Sequence, residues 1–309
     1  MSRSNRLLVV ALVLLALLAG RDGLETGGPA GCGPVSATLE PAMDMSAFLP
    51  DKFLARGRMQ AGEAYPLEEG QKVLGAVVPH HLVAGQLLHK TYKTLKEKAN
   101  PDIIVLMGPN HGGEGPQVQA ARTDFHVEGV GRIFHASNVV APLLEKGACS
   151  PALAGVLQRE HSTGVHLHYI GEFFPGVPVV VLLLNEPRRM EGLKTLAEGL
   201  AEVLGDASVL YLASIDFSHH LPLEAADRMD ALTAPLVLER NHREVIGLSN
   251  RHLDSPSSFV LWSLLLELED PGVRIRLLDK GNSARILQRP ELGDTTSYMI
   301  LMATTDRWE

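Results

Sequence analysis

Cysteine is nearly missing from this chain. Its 309 residues contain two, Cys32 and Cys149, which excludes both a disulfide framework and a four-cysteine zinc module. Cys32 lies among glycines and prolines, so a bridge between the two is not expected. Aromatic residues make up only 5%. Lysine and arginine nowhere gather into a patch. With a formal net charge of −8, the concentrated basic surface that nucleic acid requires is missing, and nucleic acid is excluded as a partner. No apolar run reaches the roughly 20 residues that comfortably span a bilayer. There is no P-loop, no G-x-G-x-x-G, no G-x-S-x-G elbow and no H-E-x-x-H, so nucleotide binding and α/β-hydrolase chemistry lack their usual marks.

What is present is a globular composition with 45% apolar residues, ample for a large core. Histidine is the compositional exception, with thirteen against five tyrosines and two tryptophans. At the N-terminus, Arg3 and Arg6 precede thirteen apolar residues, Leu7 to Ala19. A basic start, a short apolar run and small residues at its end predict a secretory signal over residues 1–20 and export to the periplasm or beyond. "LLAGRD" leaves an uncleaved membrane anchor open as the alternative. Residues 21–45 are Gly/Pro-rich and aperiodic and read as a linker. Residues 46–309 then form one domain.

Within that domain apolar strands alternate with helical stretches. Strands are predicted at 72–78, 103–108, 177–184, 208–214, 273–279 and 296–304. Helices are predicted at 82–98, 188–204, 221–239 and 256–269, the last opening with Ser255-Pro256 as cap and first-turn proline. Continuous apolar strands separated by helices predict a single α/β domain, with a mostly parallel central sheet covered by helices on both faces.

Three strand ends carry the same signature. "AVVPHH" places His80 and His81 just past one strand, "VLMGPNHGG" places His111 past a second, and "YLASIDFSHH" places Asp216, His219 and His220 past a third. In open parallel sheets the carboxyl ends of the strands share one edge, and ligands bind in the crevice outside it. Imidazoles gathered there serve metal ligation or acid–base catalysis. Asp254, in "RHLDSPSSF", is a candidate anionic ligand. Plainer readings stand beside these: Asp216 and Asp254 as helix caps, "GPN" as a turn. "REHSTGVHLHY" adds Glu160, His161, His166 and His168; its H-x-H pair alternates like a strand, which would put both rings on one face.

"VPHH", "GPNHG", "EHS", "SIDFSHH" and "GDTTSYMILMAT", in that order between about residues 72 and 304, resemble the Memo-like family, the B component of the AmmeMemoRadiSam system. That family is similar in fold to the class III extradiol dioxygenases. The resemblance implies metal-site positions at His80 and His111, an acid–base histidine at His219 with Asp216 from the same motif, and a pocket-lining His161, with His166 at a polar position downstream. Three departures stand out. Asp254 occupies the place of the family's usual cysteine and completes a two-His-one-carboxylate set, which leaves positions open on non-haem Fe(II). "PHHLV" replaces P-H-A-G-Y, and Gly164 replaces a usual glutamate.

The expectation is a Memo-like metal-binding protein acting as an extradiol-type oxidoreductase on an unidentified small molecule. Fe2+ is the ion the resemblance suggests, with Zn2+ or Cu2+ as alternatives. The competing reading is a metal-binding or interaction protein of the cell envelope without turnover. Metal-assisted hydrolysis ranks third.

Overall fold

Four apolar strands set the frame of the computed structural model, which describes residues 41–186 and 189–305. The predicted leader and most of the linker lie outside the described residues. The central sheet is built from β1 (Lys72–Val78), β2 (Ile103–Pro109), β3 (Val118–Ala120), β4 (Ser150–Pro151), β5 (Val179–Leu184), β6 (Val209–Ser214), β7 (His219–Leu221), β8 (Arg274–Asn282) and β9 (Thr295–Thr305). Their order is β7-β9-β1-β6-β2-β5-β3-β4, with β8 also paired to β9.

The middle strands β1, β6, β2 and β5 are parallel, as their unbroken apolar composition predicts. On the flanks β9 pairs antiparallel with β1 and β3 antiparallel with β5. The sheet is thus a parallel centre flanked by an antiparallel pairing on each side, with β4 running parallel to β3 at one edge.

Alternation along the strands sorts the core into two layers. Val105, Met107, Val180, Leu182 and Tyr211 face one cluster, which Leu193, Leu196 and Leu200 of the helix Met190–Leu204 join with Phe259, Trp262 and Leu266 of the helix Pro256–Glu269. Ile104, Leu106, Val181 and Leu212 face the other, closed by Leu88, Tyr92 and Leu95 of the helix Gly85–Lys98 and by Val165, Tyr169 and Ile170 of the helix His161–Phe173.

Two expectations change. The linker ends earlier than residue 45. Met43–Asp44 forms a strand beside Phe125–Val127, and Met45 is buried; Met43 and Met45 N–H donate to Asp124 and His126 carbonyls, satisfying backbone that a free linker would leave to water. The H-x-H pair lies in the helix His161–Phe173, not in a strand. Glu160 caps that helix by accepting from Ser162 N–H at 2.9 Å, and the cap starts helical geometry just where alternation suggested extension.

Gly75 on β1 shows how tightly the first layer is set. A Cβ there would lie 2.5 Å from the Tyr211 carbonyl oxygen and 2.7 Å from Trp262 Nε1. The indole N–H donates to that same carbonyl at 3.0 Å. Gly75→Ala is expected to cost about 1–3 kcal/mol through overpacking, read as a lower urea midpoint at unchanged m-value.

Candidate metal centre

The parallel strands end level with one another: Val78 pairs with Ser214, Met107 with Ala213, and Pro109 with Leu184. Two residues past each end stands a charged or metal-ligating side chain. His80 follows β1, His111 follows β2, Glu186 follows β5 and Asp216 follows β6.

His80, His111 and Asp254 converge. Asp254 Oδ2 lies 3.1 Å from His80 Nε2 and 3.7 Å from His111 Nε2. Ligands sharing one ion at about 2.1 Å stand roughly 3.0–3.4 Å apart, so these three atoms already hold close to ligand spacing. Neither contact has hydrogen-bond geometry, and Asp254 Oδ2 is buried without a hydrogen-bond partner. A cation between the three atoms would satisfy it. His161 joins the group, since one nitrogen from each of His80, His111 and His161 lies within 4.8 Å of the others. Its ring stacks on His111 with centroids 4.4 Å apart. Three histidines able to hold a metal ion therefore meet at the sheet edge the sequence pointed to.

The surrounding bonds orient these groups. His111 Nδ1–H donates to Glu160 Oε1 at 2.8 Å and its backbone N–H to Glu160 Oε2 at 2.7 Å, which turns His111 Nε2 towards Asp254. Asp216 Oδ1 accepts from His80 N–H at 3.1 Å. Asp216 N–H donates to Asp254 Oδ1 at 3.2 Å, and Asp254 N–H returns a bond to the Asp216 carbonyl at 3.0 Å. Neither aspartate caps a helix. Ser255 caps the helix Pro256–Glu269, accepting from Ser258 N–H.

Glu186 fixes the loop that carries Asp254. Its carboxylate accepts from Ser257 N–H at 2.8 Å and from the hydroxyls of Ser255 and Ser257. The strand-end rule would have found it in "VLLLNEP", as a carboxylate two residues past an apolar run.

The cavity above these groups measures about 260 Å³ and takes in His80, His81, His111, His161, Asp216 and His219, with Asn250 and Thr296 also in its wall. His219 Nδ1 is buried there without a partner. The His81 ring is hydrogen-bonded to the buried Tyr298 hydroxyl. His220 adopts a left-handed backbone at φ 56° and faces Asp294 at 3.1 Å.

His166 and His168 part company. His166 is fully buried behind the site, whereas His168 faces Glu172 at 3.5 Å near Arg58. Residues two apart on a helix do not share a face. Gly164, too, has a structural reason. A Cβ there would lie 2.5 Å from the Phe48 ring, so the N-terminal segment fills the space a longer side chain would need.

Charge follows geometry. Burial pulls His111 down, but Asp254 and the bond to Glu160 outweigh it and carry its pKa to about 10. Burial likewise opposes His80, yet Asp216 and Asp254 leave it raised. Burial would raise Glu160, but its bond from His111 brings it to about 2. Burial and the charges of His80 and His111 push His161 down to about 4. Asp254 is held well below the usual carboxylate range; burial opposes this, and the His80 charge overcomes it.

Similarity to known proteins agrees with the sequence resemblance. The family described as Memo-like protein matches residues 51–253. A MEMO1 family protein of Pyrobaculum arsenaticum is 27% identical over 176 residues, covering 55% of this chain and 62% of that protein. MEMO1 family protein MK0963 of Methanopyrus kandleri is 30% identical over 187 residues, covering 58% and 64%. A MEMO1 family protein of Caldivirga maquilingensis is 22% identical over 240 residues, covering 75% and 81%. The chain thus spans less than two thirds of the first two relatives. A crystal structure of an uncharacterized protein from Escherichia coli K12 is similar with a TM-score of 0.47 at 12% identity, covering 75% of this chain and 99% of that one.

The raised histidines set a pH dependence. A metal takes neutral imidazole, so uptake displaces protons. Below about 10 His111 holds its proton in the metal-free protein; raising the pH removes this competitor, and apparent metal affinity should rise from neutrality towards pH 10. Calorimetric titration in buffers of different ionisation heat should register proton release on binding. In the metal-free protein the same shift stabilises the fold fully below about pH 6.5, and that contribution is lost as pH rises through about 10.

Proposed function

The chain belongs to the Memo-like family, and from that premise we propose that its cavity is a metal-dependent oxidoreductase site of extradiol type. His80, His111 and Asp254 hold a divalent cation, Fe2+ being the ion this donor set suits when positions are to stay open. The observation that carries the reading is the convergence of His80 Nε2, His111 Nε2 and Asp254 Oδ2, which has no hydrogen-bond partner. A cation there supplies a Lewis acid that binds and orients an oxygen-bearing small molecule.

The chain's own groups do the remaining work. His219, which lines the cavity, accepts a substrate proton and later returns it. Asp216 fixes the His80 backbone through Oδ1. His161, kept neutral at physiological pH by burial and its cationic neighbours, offers a hydrogen bond across the open side of the cavity. The predicted leader would place this activity outside the cytoplasm.

The closeness of His161 favours a second reading. A fourth protein ligand would close the coordination sphere and leave a metal-binding protein without turnover.

Elemental analysis of anaerobically purified protein separates these outcomes. Near-stoichiometric metal is expected in the parent. His111→Ala and Asp254→Ala should each weaken binding beyond the roughly 10–100-fold that loss of an outer partner costs. Metal-dependent oxygen uptake with catechols or related phenols supports the oxidoreductase. Bound metal with a saturated coordination sphere and no oxygen uptake supports the second reading. No metal after reconstitution with Fe2+, Zn2+ and Cu2+ defeats both.

A further inference from the structure

Behind His80, on the side away from the cavity, a line of polar groups runs into the core. His80 Nδ1 lies 2.9 Å from Ser214 Oγ, and His166 Nε2 lies 3.0 Å from the same oxygen. Ser214 Oγ also stands 2.5 Å from the Ser162 carbonyl. On the far side of its ring, His166 Nδ1 lies 3.0 Å from the Tyr92 hydroxyl. Ser214, His166 and Tyr92 are all fully buried, so none of these bonds is exchanged for water.

Counting protons fixes every direction. A carbonyl only accepts, so the single Ser214 hydroxyl proton goes to Ser162. Ser214 Oγ must then accept from both imidazoles, from His80 Nδ1–H and from His166 Nε2–H. His166 Nδ1 is left as an acceptor, and it takes the Tyr92 proton. Burial supports these states: it drives His166 down to about 3, keeping it neutral, and raises the Tyr92 phenol well above its ordinary value. One arrangement satisfies all four groups, and in it His80 Nδ1 always carries a proton.

We propose that Ser214, His166 and Tyr92 act as a tautomer lock, holding the proton on His80 Nδ1 so that Nε2 presents its lone pair beside Asp254. These are positioning residues, acting through His80 and touching nothing in the cavity. The inference rests on the reading of His80 as a metal ligand. It deepens that reading by making ligand quality depend on a tyrosine and a histidine in the helix layer. Gly108 belongs to the same device. A Cβ there would lie 2.9 Å from Ser162 Oγ and 3.3 Å from Ser214 Cβ, so glycine lets the two serines meet.

The test uses the full chain with 15N-labelled histidine and Zn2+ as the probe ion. In the parent, NMR should show His80 with a hydrogen-bonded Nδ1–H and, on adding Zn2+, coordination through Nε2. His166→Leu should weaken Zn2+ binding about 10–100-fold, as loss of an outer partner does, and His80 should lose its single-tautomer signature. His166→Gln, whose amide N–H can still reach Ser214, should recover most of that loss. Tyr92→Phe should weaken binding only a few-fold. A purely structural role would not be rescued by glutamine. If the leucine variant does not fold, the glutamine and Tyr92→Phe proteins carry the test. His80 bound through Nδ1, or unchanged affinity and His80 signals in folded variants, overturns the lock. No Zn2+ uptake by the parent overturns the metal reading instead, while the hydrogen-bonded His80 Nδ1–H is still read in the metal-free protein.

Discussion

Everything at the sheet edge answers to buried negative charge. Asp216 and Glu160 are 2% and 3% exposed, and the Asp254 side chain 5%. An unpaired carboxylate at that depth costs several kcal/mol even after the protein relaxes. The chain therefore surrounds these carboxylates with imidazoles, which can take up or give up positive charge near neutrality. Protons on His80 and His111 and a cation between them are alternative answers to one electrostatic demand. This is why the raised histidines and the partnerless carboxylate oxygen belong to a single description of the site.

The demand is met at this edge because four parallel strands stop in register. Each presents its second following residue to the same crevice: His80, His111, Glu186 and Asp216. A rigid strand end places a side chain more precisely than a loop does. The buried alternation that sorts the two core layers fixes the register, because a one-residue slip would exchange the layers. Fold and site thus share one cause.

That cause explains what was legible beforehand. His80, His111, Asp216 and His219 announce themselves as polar residues breaking long apolar runs. Asp254 was a candidate ligand whose sequence context reads equally well as a helix cap; the Ser255 cap and the bond from Asp216 N–H separate the two. The His166-x-His168 alternation misled because an H-x-H pair has no period long enough to tell strand from helix. The deciding signal was Glu160, whose capping role depends on His111 far away in sequence. Ser214 was not legible as an oriented acceptor, since its role appears only when His80, His166 and the Ser162 carbonyl surround it.

Asp254 changes the chemistry more than its size suggests. A carboxylate is a harder donor than the thiolate the family resemblance would place there, and with two imidazoles it suits divalent iron, zinc or copper rather than Cu(I). It also imposes a cost that a neutral thiol would not, because a full charge is buried, a cost the N-terminal end of the helix Pro256–Glu269 offsets in part. The chain counters that cost through the Asp216 N–H that donates to Asp254 Oδ1, while Glu186 grips Ser255 and Ser257 and so fixes the loop that carries Asp254. Glu186 is itself an acid whose pKa is raised, chiefly by desolvation of its carboxylate, with Asp254 adding to the shift. Beside His80 and His111, Asp254 Oδ2 is the buried oxygen that still lacks a hydrogen-bond partner.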